Sequence, residues 1–206
     1  MLRKIGLNLP AVFFALIILS ISFLRSAKVN YAFTGSVSQN PSPTTTKVDY
    51  NLPYPGSILP DSPIWPVKAF RDKLWLWVTV SREKKAELML LFADKRLASS
   101  KLLFQKGKAE VAFSTFTKAE KYLQQAAQLA EQSWNAGDSA KNLTFKIALA
   151  ALKHQEVAGE LVTIAPEDAR AGIIKDLAYP KDIYIKCRDL LVSHGFSAPE
   201  NPFKKE

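Results

Sequence analysis

Few residues in this 206-residue chain are of a type that can do chemistry, and their spacing decides how they are read. There are two histidines, His154 and His194, and one cysteine, Cys187. His154 falls on the apolar seam of a helical pattern and so points inward. Its expected role is a core imidazole hydrogen-bonded to a neighbour. The alternative is a ligand, metal or pH-switch role. His194 lies forty residues on. No His-Glu-x-x-His and no pair of histidines at helical spacing is present, so a metal site would rest on His154 alone. Asp94 and Arg96 sit in Ala-Asp-Lys-Arg-Leu, residues 93–97. They are read as surface or inter-helix ion pairs, with an interior Arg–Asp or Asp–His pair that fixes helix register as the other possibility. No spacing in the sequence brings Asp94 to His154. Glu156 and Glu160 share a helix face and are expected on the solvated side. No nucleophile elbow, phosphate loop or dinucleotide-binding glycine pattern occurs. The expectation is therefore not an enzyme, with no catalytic residue and no cofactor. A single cysteine excludes an internal disulfide and a multi-cysteine zinc site, and Cys187 is expected in the core.

These residues must be positioned by helices. Ser81 can cap a helix over about 81–106, with Gly107 as its stop. Ala86, Leu90, Ala93, Leu97 and Phe104 form its seam. A second long helix, about 108–135, carries Ala109, Ala112, Phe116, Ala119, Leu123, Ala126 and Ala130. A third, about 139–164 and capped by Asp138 or Ser139, carries Ala140, Leu143, Ile147, Ala150, His154, Val157, Leu161 and Ile164. Threes and fours alternate in each, which is one face of a helix. Gly107 and Gly137 leave short connections, which make neighbouring helices antiparallel. Shorter helices follow over 166–178 and 180–194, with Pro180 breaking or restarting the chain. Residues 196–206 read as a frayed tail.

Before this body lies "LPYPGSILPDSPIWPVKAFRDKLWLWV", residues 52–78. Pro53, Pro55 and Pro60 hold residues 52–62 extended as a strap, because each disfavours helix at the preceding residue. Pro60, Asp61, Ser62 and Pro63 read as the entry to a helix over about 63–80, with Asp61 or Ser62 as its cap and Pro63 as its first residue. Val67, Phe70, Leu74 and Trp77 make one face of that helix, expected to pack on the bundle. Trp75 and Trp77 then close its open end or touch a membrane interface.

The first 28 residues hold an uncharged apolar run from Ile5 to Leu24, flanked by Arg3 and Lys4 on one side and Arg25 and Lys28 on the other. Twenty residues of helix span about 30 Å, enough for the bilayer core. The expectation is an uncleaved, single-pass signal anchor with the remainder extracytoplasmic at the cell membrane. Secretion after cleavage behind Ala32 is the alternative. Residues 29–51 read as a Ser/Thr/Pro linker. The whole architecture is then all-α: an antiparallel bundle of four to five helices within residues 52–195, after one transmembrane helix and a proline-rich strap.

The formal net charge is +9, and residues 68–121 hold 13 Lys/Arg against 6 Asp/Glu. This predicts a basic face, with Lys84, Lys85, Arg96 and Lys101 as its interaction candidates. Its expected partner is anionic lipid, an acidic envelope polymer or another envelope protein. Nucleic acid is not expected, since no recognised binding motif is present.

The residues "LPYPGSILPDSPIWPVKAFRDKL", "KKAELMLLFADKRLASSKLLFQKGK" and "ALKHQEVAGELVTIAPEDARAGI" together resemble the bacterial family called domain of unknown function 5667, over roughly residues 52–177. The resemblance implies an exported all-helical domain and brings no activity with it. "AYPKDIYIKC" departs from the family's pattern near the end. Two functional classes follow. The first is a cell-envelope interaction or structural module using a basic face. The second is a small-ligand or metal sensor with His154 in a bundle pocket.

Overall fold

The computed structural model describes residues 47–137 and 140–203. The anchor segment, most of the linker and the cap candidates Asp138 and Ser139 lie outside these residues. Among the described residues the fold is all-helical, with six helices: α1 (Trp65–Val78), α2 (Arg82–Gln105), α3 (Ala109–Asn135), α4 (Lys141–Ile164), α5 (Glu167–Asp176) and α6 (Ala178–Ser193). None of them is long and apolar enough to cross a membrane.

Among the described residues α2 and α3 make the most extensive pairing. The turn between them needs a left-handed residue, and Gly107 supplies it at φ 71°. Ser81 caps α2 by accepting the Lys84 N–H. Ser100 Oγ donates to the Ala112 carbonyl at 2.9 Å, tying the two helices beside their turn. α4 packs on α2, α3 and α6. Trp134 Nε1 donates to Thr144 Oγ1 at 2.9 Å, joining the end of α3 to the start of α4.

Seam residues fill two apolar clusters. One gathers Ala86, Leu90, Ala93, Leu123, Ala126, Leu143, Ile147 and Cys187. The other gathers Leu97, Phe104, Ala112, Phe116, Ala119, Val157, Leu161 and Ile173. The frequent alanines on these seams let helix backbones approach closely. Ile164 is the seam residue that does not go in. It ends α4 and is exposed.

Four boundaries differ from the sequence reading. α1 begins at Trp65, not at Pro63, and Pro66 occupies its first turn. Pro60, Asp61, Ser62 and Pro63 form turns instead of a cap, with the Ser62 N–H on the Leu59 carbonyl and the Trp65 N–H on the Ser62 carbonyl. Asp61 is drawn away to Lys108 at 2.9 Å and Lys106 at 3.8 Å, two cations of the α2–α3 turn. Pro180 does not break the chain. The break falls at Leu177, and Pro180 sits in the first turn of α6, where its missing N–H has no helical partner to lose. The linker ends earlier than residue 51, because Val48 is buried and Tyr50 packs against the first cluster. The tail is docked as far as Pro199. Tyr184 Oη donates to the Pro199 carbonyl at 2.8 Å, and Phe196 lies between Trp134 and Lys141.

Two glycines inside helices give contrasting expectations. A Cβ at Gly159 meets nothing, whereas one at Gly172 comes within 2.5 Å of the Phe113 ring. Gly159→Ala is expected to raise stability by about 0.8 kcal/mol through helix propensity alone. Gly172→Ala carries the same gain but must displace the ring at about 1–3 kcal/mol. Urea unfolding is expected to rank Gly159→Ala above the parent and Gly172→Ala below it.

Candidate functional site

His154 is fully buried at the middle of α4, and acids from two other helices meet it. Its Nδ1 lies 2.8 Å from Glu120 Oε1 on α3. Its Nε2 lies 3.2 Å from Asp94 Oδ1 on α2. The Tyr50 hydroxyl, from the segment that enters the domain, donates to the other Asp94 oxygen at 2.6 Å. One polar knot therefore joins α2, α3, α4 and the incoming chain. Glu120 Oε2 is buried with no hydrogen-bond partner.

Burial by itself would push the imidazole down. The Glu120 charge and the hydrogen bonds to Asp94 and Glu120 more than offset that, and the pKa is raised to about 9. At neutral pH His154 is then an imidazolium that donates from both nitrogens, Nδ1–H to Glu120 and Nε2–H to Asp94. Two carboxylates around one imidazolium make a charge-assisted, geometrically defined contact.

The acids approach opposite nitrogens of one ring, so no single point touches both carboxylates and a ring nitrogen. Among the described residues no group of three His, Cys, Asp or Glu side chains is arranged to hold a metal ion. Polar groups do converge on His154, but they use both of its nitrogens. The arrangement holds a proton on His154 and ties α2, α3 and α4 together.

A second buried pair extends this interior. Glu156 was expected in solvent; it is buried, pairs with Lys153 and accepts the Val48 N–H at 2.7 Å. The packing of the incoming segment over α4 excludes water there. Val48 and Tyr50 thus dock side by side on α4 and α2.

The proposed basic face is reduced by the same packing. Arg96 is not on the surface. It is buried, with its guanidinium 4.2 Å over the Tyr122 ring and Nη1 donating to the Phe92 carbonyl. Its inward direction follows from its place beside Leu97 on the buried side of α2. Lys101 pairs with Glu160 of α4. Lys84 is exposed and Lys85 half-exposed at the start of α2. Cys187 is buried, and burial pushes its thiol up to about 12. His194 is exposed, with its ring 4.1 Å from that of Trp134.

α1 departs most from expectation. The face expected to pack inward points out: Val67 is 72% exposed, Phe70 66%, Trp77 80%, and Val80 just beyond the helix 93%. The opposite face is turned in. Asp72 is 3% exposed and paired with Arg71 at 2.8 Å. Trp75 packs edge-on to Phe92 at 6.2 Å. Lys68 donates to the Pro55 and Ile58 carbonyls, and burial pushes its ammonium down to about 8. The two tryptophans therefore separate, Trp75 toward the body and Trp77 toward solvent.

Sequence reasoning missed Glu120, although the signal was present. Glu120 follows Phe116 by four residues and precedes Leu123 by three, which puts it on the buried stripe. Asp94 stands in the same relation to Leu90 and Leu97.

The knot's Asp94, Glu120 and His154, and the whole of α1, fall inside residues 57–168, which match the family model described as Domain of unknown function (DUF5667). No curated protein and no solved structure matches the chain. The family match spans more than half of the sequence, from the turns before α1 to the first residues of α5, and the chain belongs to this family, a domain of unknown function.

Proposed function

We propose that this protein is a membrane-tethered, extracytoplasmic docking module of the cell envelope, with residues 5–24 as its single-pass anchor. The observation that carries the reading is the inside-out orientation of α1. A helix with an apolar face normally turns it to the core, since burying a large side chain contributes about 1.5–3 kcal/mol. Here the core side of α1 takes Asp72 and Lys68, and Val67, Phe70 and Trp77 are left in solvent. A contiguous exposed apolar face marks an interaction site. The buried Asp94–His154–Glu120 knot supports a structural role for the body, because it spends its polar groups on one another.

The test is fractionation of cells producing the full chain. After an alkaline carbonate wash the chain is expected to stay with the membrane, and protease added to spheroplasts is expected to digest the helical body. Release into the soluble fraction, or a body protected from external protease, would overturn the reading.

A further inference from the structure

The outward face of α1 has a specific charge pattern. Successive residues of a helix turn by 100°. Val67, Phe70, Leu74, Trp77 and Val78 therefore share an arc of about 100°. Lys73 lies just outside one edge of that arc and Arg71 just outside the other. Beyond the helix, Val80 is followed by Arg82, Lys84 and Lys85. Over residues 64–85 there are six Lys/Arg and two acids. Asp72 and Arg71 are spent on one another and Lys68 is turned onto the Pro55 and Ile58 carbonyls, which leaves Lys73, Arg82, Lys84 and Lys85 against the exposed Glu83.

We propose that this face is a seat on an anionic bilayer surface, so that the domain lies down on the membrane to which it is tethered. An apolar stripe with Lys73 along one edge and Arg82, Lys84 and Lys85 beyond its end suits the boundary between acyl chains and negative headgroups, where aromatic rings enter and Lys and Arg reach the phosphates. A protein partner would need its own complementary apolar groove. A second copy of this chain would bring the same unpaired cations, Lys73, Arg82, Lys84 and Lys85, to the shared face with Glu83 as the exposed acid between them. Charge complementarity thus selects the lipid surface over self-association.

The tether makes a weak seat sufficient. The 22 residues between the apolar run and Lys47 span at most about 80 Å, which bounds the reach of a tethered domain. Tethering converts seating into an intramolecular step at an effective concentration on the order of millimolar. The inference rests on the tethered reading above for its partner's location, and on α1 itself for the chemistry.

The experiment reconstitutes the full chain into vesicles of phosphatidylcholine with or without phosphatidylglycerol, using acyl chains brominated to quench nearby tryptophan. Trp77 is read as the difference between the parent and Trp77→Phe, which keeps an aromatic ring in place. Quenching of Trp77 in phosphatidylglycerol vesicles at low salt, weakened by salt and by omitting the anionic lipid, is the expected result. Val67→Ser with Phe70→Ser is expected to lower the seated fraction about tenfold with unchanged thermal unfolding, since both side chains are solvent-exposed. Trp77 left unquenched in a chain that floats with the vesicles would overturn the seat and leave the tether standing. Shielding of Trp77 that follows protein density and ignores lipid composition would assign the face to a second copy and also overturn it. If the chain does not float, the tether fails, and quenching on simple addition of vesicles decides the seat by itself.

Discussion

Replacing His154 with leucine is expected to cost about 3–5 kcal/mol of folding stability, as removing one partner from a buried charge network does. Leucine fills much of the same volume, so the loss is not a cavity effect. It comes from leaving Asp94 and Glu120 as two desolvated carboxylates with the cation between them gone. Tyr50 would still serve one oxygen of Asp94, but Glu120 would lose the hydrogen bond on Oε1 while Oε2 already lacks one. The companion variant separates charge from packing. Adding Asp94→Leu and Glu120→Met to His154→Leu is expected to recover more than half of the loss, because an apolar replacement of a whole buried ion cluster is often neutral or better. Urea denaturation of the three proteins at neutral pH measures this. Equal stability of His154→Leu and the parent would show that the knot contributes nothing.

Raising the pH is expected to remove the same stabilisation reversibly. The His154 pKa is about 9 in the folded protein against a reference of 6.5. The folded state therefore binds this proton more tightly than the unfolded chain does. That contribution is complete below pH 6.5 and is lost as pH rises through about 9. At 1.36 kcal/mol per pKa unit it is worth about 3 kcal/mol, most of it gone by pH 9.

Three other groups, two half-buried lysines and a buried thiol, titrate with different consequences. Burial lowers the ammoniums of Lys68 and Lys95, so these gain stability as pH rises and partly oppose the trend. The Cys187 thiol is raised from 9 to about 12, so its contribution, like that of His154, falls with pH, but only above about 9. The clean measurement is the difference in unfolding free energy between the parent and the variant lacking all three knot residues, followed from pH 6 to 9. The difference is expected to shrink steadily. A constant difference across that range would sink the assignment of the proton to His154.

Much of the body was legible in residues 81–164. Ala86, Leu90, Ala93 and Leu97 repeat at helical spacing, as do Ala112, Phe116, Ala119 and Leu123, and all eight are buried. Period alone suffices there, because a long amphipathic helix buries its apolar stripe when another helix is available to cover it. Gly107 as a turn follows from its freedom to adopt positive φ. The inward direction of His154 follows from its place on the seam. The sequence by itself thus determined an all-helical body, its long helices and the burial of its histidine.

Only the tertiary structure decided what His154 meets. Asp94 lies 60 residues before it and Glu120 34 before it, and no local spacing encodes how three helices slide past one another. The same holds for Arg96 and Glu156, charged residues that were placed in solvent. Each is buried because a distant group satisfies it, Tyr122 for Arg96 and the Val48 N–H for Glu156, the latter beside its local pair with Lys153. The orientation of α1 was beyond reach for a further reason. Helical period separates a Val67–Phe70–Trp77 face from an Asp72–Trp75 face, but it says nothing of which one the body receives. Here the body offers Phe92 to Trp75, and the carbonyls of residues 55 and 58 to Lys68. Those partners hold the polar face and leave the apolar face turned outward.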